Sequence, residues 1–297
     1  MVACRHERAR HSPPAPTLPA DLAEQVAAAL REDLGSGDLT AALVPLAQRV
    51  RGRIVSREAA VLCGQAWVEA CFRRLDPGIR LTWNAADGAT LTPGMLVCTV
   101  EGPARSVLTG ERTALNFLQL LSATATAASR FAAALAGTGC TVLDTRKTLP
   151  GLRSAQKYAV RCGGAANHRM GLYDMVLIKE NHILAAGSIA RAVAAARASA
   201  AGARIEVEVE SLGELEQALE ARPDIVMLDD FTLEDMAAAV ARNRARGRPV
   251  LLEASGSVSL ETVRAIAATG VDFVSVGALT KHVRAVDLSM RLEFEAR

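Results

Sequence analysis

Hydrophobic positions are spaced differently in the two halves of the chain. After Gly139, short apolar runs alternate with alanine-rich segments of helical periodicity. The runs predict six strands, at 141–144, 175–179, 205–210, 225–229, 250–253 and 273–276. The segments between them predict helices at 188–198, 212–221, 233–242 and 260–268. Strands that alternate with helices of this length form a parallel sheet.

Before Gly139 the pattern predicts a mixed α/β domain. The predicted helices begin at Asp21, Gln65 and Pro103 and run toward residues 34, 75 and 136. The predicted strands lie at 51–56, 79–84 and 95–101.

Polar residues or glycine follow most of the later strands, and their position favours a barrel over a doubly wound sheet. They are Asp144, Lys179, Asp229, Glu253 and Gly277. A barrel gathers the carboxyl ends of its strands around one mouth, whereas a doubly wound sheet spreads them along an edge. Because six strands are predicted instead of eight, we expect a smaller or open barrel.

Composition narrows the class of protein. Of 297 residues, 50% are hydrophobic and 22% are charged, which excludes wholesale disorder. No apolar run reaches the roughly 20 residues of a membrane span. A net charge of +2 and 3% aromatic residues argue against a nucleic-acid partner. Six cysteines without a C-x-x-C pair predict reduced, buried thiols and a cytoplasmic location.

The first 20 residues hold four prolines and show no periodicity, so we expect a disordered tail at 1–20. The tail is rich in arginine, as a mitochondrial presequence would be. Its prolines, however, argue against the amphipathic helix that such a presequence forms.

Positive charge is concentrated between Asp144 and His182 on an otherwise nearly neutral chain. Arginine pairs in a two-pronged way with carboxylate or phosphate, and lysine adds a mobile charge. A solvated face is the ordinary explanation for a charged run. Here the charges flank strand ends and glycine turns, which favours a site for a substrate with several negative charges. The candidate residues are Thr145, Arg146, Lys147, His168, Arg169 and Lys179.

Three carboxylates alternate along the strand at 205–210, so Glu206, Glu208 and Glu210 share one face of it. Carboxylates inside a barrel need partners, which Lys179 or a divalent cation would supply. With Asp229 at the end of the next strand, two carboxylates from adjacent strands would hold Mg²⁺ or sugar hydroxyls, while Glu206 or Glu210 would be structural.

Small residues follow the last two strands. Their backbone N–H groups suit a phosphate, and barrel enzymes often build a phosphate site from these final loops. The two loops are Ser255-Gly256-Ser257 and Val276-Gly277-Ala278. A phosphate cradle, a carboxylate pair and a cationic clamp together predict an enzyme that transfers a phosphorylated sugar.

At these segments the chain resembles the quinolinate phosphoribosyltransferase family, over roughly residues 21 to 295. The similar stretches include GERTALNFLQLLSATAT (110–126), LDTRKTLPGLRSAQKYAVRCGGAANHRMGLYDMVLIKENH (143–182), IEVEVESL (205–212), DIVMLDD (224–230), LEASGSV (252–258) and VDFVSVGALTKH (271–282). The resemblance implies an N-terminal α/β domain packed with an open, TIM-like α/β barrel of six to seven strands. The implied bounds are 21–125, completed by 283–297, and 126–282.

The family reaction would join phosphoribose from 5-phosphoribosyl 1-diphosphate to the nitrogen of quinolinate. It uses Mg²⁺, releases diphosphate and CO₂, and leaves nicotinate mononucleotide for NAD biosynthesis. The resemblance gives catalytic roles to Lys147, Lys179, Glu208 and Asp229, with one of the two lysines assisting decarboxylation. The quinolinate and diphosphate pocket would be lined by Arg146, Lys147, His168, Arg169 and Lys179.

The same resemblance assigns the remaining parts of the site. Glu208 and Asp229 would serve the ribose hydroxyls and Mg²⁺. The Ser255–Ser257 and Val276–Ala278 loops would hold the 5-phosphate. Arg112 would reach the site of the neighbouring subunit in a homodimer.

Four positions depart from the family pattern. Ala165 and Ala123 stand where glycine is usual, Ser257 stands where glycine or asparagine is usual, and Asp230 stands where asparagine is common. These changes affect fine geometry and not the expected reaction.

Other functions use some of the same features. A sister transferase acting on nicotinate or another base would need fewer cationic partners, and a molybdenum-associated pyrophosphorylase is a close relative. A Schiff-base aldolase would use Lys179. A non-catalytic sensor of phosphorylated ligands would not need Glu208 and Asp229.

Overall fold

The computed structural model describes residues 16–247 and 250–294, so most of the predicted tail lies outside the described residues. The N-terminal elements are α1 (Leu22–Leu34), β1 (Arg49–Ser56), β2 (Ala60–Val61), α2 (Gln65–Leu75), β3 (Arg80–Trp83), β4 (Thr90–Leu91), β5 (Leu96–Pro103) and α3 (Ala104–Ala134). They are followed by β6 (Thr141–Leu143), α4 (Arg153–Cys162), β7 (Met175–Ile178), α5 (Glu180–Ala186), α6 (Ile189–Ser199), β8 (Arg204–Val209), α7 (Leu212–Ala221) and β9 (Ile225–Asp229). The last elements are α8 (Leu233–Ala245), β10 (Leu251–Ser255), α9 (Val263–Ala268), β11 (Phe273–Ser275), α10 (Ala278–Lys281) and β12 (Leu288–Phe294).

Strand order shows that the second half forms an open barrel. The parallel sheet has the order β6-β11-β10-β9-β8-β7, so the last barrel strand returns to pair with the first. A doubly wound sheet would reverse its order at the centre instead. Next to β6, Ala166 forms a single parallel bridge with Leu143, in front of the opening toward β7. The expected six-to-seven-stranded open barrel is confirmed.

The N-terminal half forms a mixed α/β domain, as predicted. Its antiparallel sheet has the order β12-β1-β5-β3, and β12 pairs with β1 along its whole length. Residues near the C-terminus therefore join the N-terminal sheet. Helices α1, α2 and α3 pack with this sheet around Trp67 and Phe72, whose side chains are fully buried.

Helix α3 takes part in two hydrophobic cores. Residues up to Ala125 pack in the N-terminal core, while Ala128 and Phe131 pack in the barrel core. Helix α4 lies close against α3 because Gly163 follows it, and a Cβ at Gly163 would come within 2.3 Å of the Ala125 carbonyl oxygen. This close approach fixes the position of α4, which carries Lys157 toward the barrel.

Helix α4 and helix α5 do not follow from the sequence pattern. The hydrophobic spacing predicted no helix at either segment. In α4 the buried positions include Gln156 and Lys157 beside three apolar residues, so polar side chains interrupt the pattern that would mark the helix. Polar partners, and not apolar burial alone, therefore stabilise this part of the chain. Among the described residues, no helix is both long enough and apolar enough to cross a membrane.

Candidate active site

Most of the predicted residues converge at the carboxyl ends of the barrel strands, in a pocket of about 250 Å³. We call it the small pocket. It is lined by Thr145, Arg146, Lys147, His168, Arg169, Leu177, Lys179, Glu208, Met227, Asp229, Glu253, Ser255 and Ser275. Five strands and the loop after β6 contribute to it, as expected for a barrel mouth.

A second space, which we call the large cleft, adjoins the small pocket and has a volume of about 740 Å³. Its lining includes both predicted phosphate loops, together with Lys281 and His282. Thr145, Lys147, Asp229, Ser255 and Ser275 line both spaces. The mouth therefore offers two neighbouring compartments with Asp229 and Lys147 between them.

Cationic groups of the small pocket are desolvated and only partly paired. The Nε atom of Arg146 is buried and has no hydrogen-bond partner within the described residues. Arg169 donates a long hydrogen bond, 3.4 Å, from Nη1 to the Met175 carbonyl oxygen. Burial and then the charge of Arg146 lower the pKa of Arg169. A buried donor without a partner is costly, so this geometry suits an incoming anion.

Carboxylates lie beside these cations. The Nζ atom of Lys179 is 2.5 Å from Oε2 of Glu208, an ion pair between neighbouring strand ends. The backbone N–H of Lys179 donates to Nδ1 of His182 over 3.0 Å, which fixes the residue at the start of α5. The pairing expected between Lys179 and Glu208 is thus present. His182 holds the backbone of Lys179 and does not line either compartment.

A buried polar network holds the loop between β6 and β7 in place. Asp144 and Lys157 are 0% and 1% exposed and form an ion pair. Asp144 also accepts hydrogen bonds from the Asn167 side chain and from the backbone N–H of His168, over 2.7 and 2.9 Å. Burial raises the pKa of Asp144 and lowers that of Lys157, and their mutual attraction opposes both shifts. Asp144 thus lies beneath the site and not at its surface.

Two further carboxyl groups form the floor of the small pocket. Glu206 and Glu253 are both 0% exposed, and their oxygens lie within 4.8 Å of each other and of a ring nitrogen of His168. Neither oxygen of Glu253 has a hydrogen-bond partner in the described part of the chain. Burial raises the pKa of Glu206 to about 7. Burial, and then the charge of Glu206, raise the pKa of Glu253 to about 8.

The loops of the large cleft depend on backbone conformation. Gly256 has φ +96°, and a Cβ there would lie 1.9 Å from Oδ1 of Asp230. Asp230 and Ser257 themselves have φ of +52° and +42°. These are two of the positions where the family pattern prefers asparagine or glycine, residues that adopt this conformation more readily.

The structure brings together all but one of the predicted site residues. The exception is Arg112, which is exposed on α3 in the N-terminal domain and lines neither compartment. The sequence patterns assigned no ligand role to Glu253, Ser275 or Lys281, and the alternation along β8 left Glu206 as a structural candidate. The position of Glu253 at the end of a predicted strand was the signal that placed it at the barrel mouth.

Another cleft, of about 830 Å³, lies at the opposite end of the barrel strands. Arg197, Arg222, Asp224 and Arg246 line it. It contains none of the predicted site residues. Because barrel enzymes act at the carboxyl ends of their strands, this cleft is not the candidate active site.

The open barrel and the cationic mouth define an α/β-barrel enzyme for anionic substrates. Two family models then cover almost the whole chain: "Quinolinate phosphoribosyl transferase, N-terminal domain" matches residues 38–122, and the corresponding C-terminal domain matches residues 124–291. The chain belongs to the quinolinate phosphoribosyl transferase family.

Individual relatives agree with the family models. A nicotinate-nucleotide pyrophosphorylase [carboxylating] of Mycobacterium leprae is 45% identical over 89% of this chain and 94% of that protein. The protein of the same name from Homo sapiens is 39% identical over 92% of each chain. The solved structure of the nicotinate-nucleotide pyrophosphorylase from Francisella tularensis is 45% identical and has a TM-score of 0.88. It covers 94% of this chain and 99% of that chain.

Proposed function

We propose that this protein transfers phosphoribose from 5-phosphoribosyl 1-diphosphate to quinolinate with decarboxylation, giving nicotinate mononucleotide. The observation that carries the proposal is the junction of the two compartments. A cationic pocket opens beside a cleft lined by two glycine loops, and Asp229 lies where they meet. A dicarboxylate and a phosphorylated sugar would thus lie side by side.

Quinolinate would occupy the small pocket. Its two carboxylates need paired donors, and Arg146 and Arg169 supply guanidinium groups while Lys147 and Lys179 supply ammonium groups. Each charge-assisted hydrogen bond is worth about 1.5–3 kcal/mol. Holding the ring against the sugar replaces a bimolecular encounter with a positioned one.

5-Phosphoribosyl 1-diphosphate would occupy the large cleft. The Ser255–Ser257 and Val276–Ala278 loops offer backbone N–H groups to its 5-phosphate, and Lys281 lines the same cleft. Thr280 donates to the Lys147 carbonyl oxygen over 2.9 Å, which ties the second loop to the residue between the compartments.

The bond from C1 of the ribose to diphosphate breaks, and a new bond from C1 to the ring nitrogen forms. Positive charge that develops on the ribose is stabilised by the carboxylates of Glu208 and Asp229. The resulting cationic ring then loses the carboxylate next to its nitrogen as CO₂. The carbon that is left takes up a proton, for which Lys147 and Lys179 are the candidate donors.

Magnesium fits the residues at this junction. Glu208 and Asp229 offer the carboxylate oxygens that Mg²⁺ prefers, and the side chain of Asp229 accepts no hydrogen bond within the described residues. When bound, the ion would neutralise charge on the diphosphate. The same carboxylates would also face the ribose hydroxyls.

A homodimer and a cytoplasmic location complete the proposal. Exposed apolar side chains offer surfaces for a second copy. They are Leu39, Leu43 and Leu46 in the N-terminal half and Leu172, Tyr173 and Leu184 near the barrel mouth. Arg112 would then reach the partner's small pocket. Five cysteines within the described residues are unpaired, which supports a reducing compartment.

Mixing two inactive variants tests the role of Arg112. Arg112→Ala and Arg169→Ala would each be nearly inactive alone, but a mixed dimer would hold one site with neither change. We expect activity to return on mixing. If Arg112 acts within its own chain, each site of the mixed dimer carries one of the two changes, and mixing restores no activity. The double variant mixed with wild type is the converse test of a role in the partner's site. In a mixed dimer of that kind, each site would be damaged once, and activity would fall with the mixed fraction.

The reaction itself is tested by product analysis. The purified protein with quinolinate, 5-phosphoribosyl 1-diphosphate and Mg²⁺ should release equal amounts of CO₂ and nicotinate mononucleotide. Turnover of nicotinate without turnover of quinolinate would contradict the proposal. Borohydride trapping of Lys179 with a carbonyl substrate would favour an aldolase instead.

A further inference from the structure

Both ring nitrogens of His168 are already engaged by the protein. Nε2 lies 2.9 Å from Oε2 of Glu206, and 3.5 Å from Oε2 of Glu253. Nδ1 accepts the backbone N–H of Arg169 over 2.8 Å. The side chain is 7% exposed. His168 therefore offers the small pocket a ring face but no free polar atom.

These contacts select one tautomer of the imidazole. A ring nitrogen that accepts an N–H must carry a lone pair, so Nδ1 of His168 is unprotonated. The proton of the ring then lies on Nε2, which donates it to Glu206. With the opposite tautomer, Nδ1–H would meet the N–H of Arg169 and the hydrogen bond would be lost.

The same tautomer argues against a metal ion in this cluster. His168, Glu206 and Glu253 have the spacing of a metal site, and three of their four carboxylate oxygens have no hydrogen-bond partner among the described residues. Metal binding would need a lone pair on Nε2, yet the contact with Arg169 already requires the lone pair on Nδ1. The cluster therefore suits a donated proton better than a cation.

The backbone on either side of the ring is also fixed. The N–H of His168 donates to Asp144, and its carbonyl oxygen accepts from Lys157 over 3.0 Å. The imidazole thus connects the buried carboxyl groups to the backbone nitrogen of Arg169. Within the described residues, the only other hydrogen bond of Arg169 is the long one to the Met175 carbonyl oxygen.

We propose that His168 is a positioning residue and not a substrate ligand. Glu206, supported by Glu253, holds its imidazole as the Nε2–H tautomer, so that Nδ1 fixes the backbone of Arg169 for binding of the ring carboxylate. This inference rests on the proposed function, because it takes Arg169 as a quinolinate ligand.

Substitution of His168 by asparagine or glutamine tests the roles of the two ring nitrogens separately. Asparagine places its carbonyl oxygen near the position of Nδ1, whereas glutamine places its amide near the position of Nε2. We expect His168→Asn to keep the KM for quinolinate within about threefold, because the acceptor for Arg169 remains. His168→Gln should raise that KM about tenfold or more and leave the KM for 5-phosphoribosyl 1-diphosphate unchanged.

The tautomer can be measured without any substrate, so a failure of the proposed reaction would not obscure the result. Nitrogen NMR of the full chain labelled at its five histidines should show Nδ1 of His168 unprotonated and Nε2 protonated. Glu206→Ala should abolish this pattern and Glu206→Gln should restore it, because the amide oxygen still accepts. Glu210→Ala is the matched control, since Glu210 lies exposed just beyond the same strand.

Opposite results would overturn the proposal. A protonated Nδ1 in the wild type, or an unchanged His168 spectrum in Glu206→Ala, would remove the link to the carboxyl group. Equal KM values for His168→Asn and His168→Gln would remove the link to Arg169. If Glu206→Ala does not fold, the pair of amide variants still decides the question.

Discussion

The small pocket and the large cleft share a wall, but the chain builds them from different parts. In the small pocket, long side chains from several strand ends supply the charge, and buried carboxyl groups lie beneath them. In the large cleft, two short loops offer backbone groups, and glycine allows the backbone to come close. Substitutions that remove a charge should therefore affect the small pocket, and substitutions that add a Cβ atom should affect the large cleft.

Arg169→Ala should produce the largest effect. Removing one guanidinium that pairs with a carboxylate costs about 3 kcal/mol, or roughly a hundredfold. We expect the KM for quinolinate to rise by that factor, while the KM for 5-phosphoribosyl 1-diphosphate stays within about threefold. Steady-state kinetics with each substrate varied in turn measures both values. An equal rise in the two KM values would show that the compartments are not separate.

Gly256→Ala should produce the converse effect. The new Cβ would lie 1.9 Å from Oδ1 of Asp230, so the phosphate loop must move. We expect the KM for 5-phosphoribosyl 1-diphosphate to rise about tenfold or more, with little change for quinolinate. Gly202→Ala is the control, because Gly202 also has a positive φ (+84°) but no atom within 4 Å of its Cβ position. The same kinetic change in both variants would point to general backbone strain.

Glu253→Gln tests the buried floor of the small pocket through stability. Burial raises the pKa of Glu253 to about 8. The protonated carboxyl group therefore stabilises the folded protein fully below its unfolded pKa, near 4.5, and this stabilisation is lost as the pH rises through 8. Glutamine does not ionise. Between pH 5 and pH 8 the variant should gain roughly 2 kcal/mol in free energy of unfolding relative to the wild type.

Urea unfolding at several pH values measures this difference. Glu210→Gln serves as the control because Glu210 is exposed, and its difference from the wild type should not change with pH. A constant difference for Glu253→Gln would mean that Glu253 is ionised in the folded protein throughout this range.

Ser257→Gly should have the smallest effect. Ser257 has φ +42°, a conformation that costs a non-glycine residue about 1–2 kcal/mol. Glycine would relieve this cost, but part of the gain is offset by the greater conformational freedom of glycine in the unfolded chain. We expect a rise of about 0.5 kcal/mol in the free energy of unfolding. Ser36→Gly, at a position without positive φ, should lower it. A decrease in both would show that the loop is not strained at Ser257.

Sequence reasoning found the parts of this molecule that local pattern encodes. The alternation along 205–210 placed Glu206 and Glu208 on one face, and the polar strand ends placed Asp229 and Lys179 at one mouth. Local pattern also located both glycine loops. Each of these features depends on neighbours in the chain or on the common edge of a parallel sheet.

Other features depend on contacts between distant segments, and no local pattern shows them. Helix α4 was missed because its buried face carries Gln156 and Lys157. The contact of His168 with Glu206 and Glu253 depends on which strands close the barrel. The contacts of both ring nitrogens of His168, which leave the side chain no free polar atom for a ligand, also depend on the three-dimensional arrangement and not on local pattern.

A crystal structure with nicotinate mononucleotide would test the two-compartment account most directly. We expect the 5-phosphate to lie against the Ser255–Ser257 and Val276–Ala278 loops, and the pyridine carboxylate against Arg146 and Arg169. The ribose should lie between them, beside Glu208 and Asp229. A nucleotide bound in the reverse direction, or in the cleft at the other end of the barrel, would contradict the account.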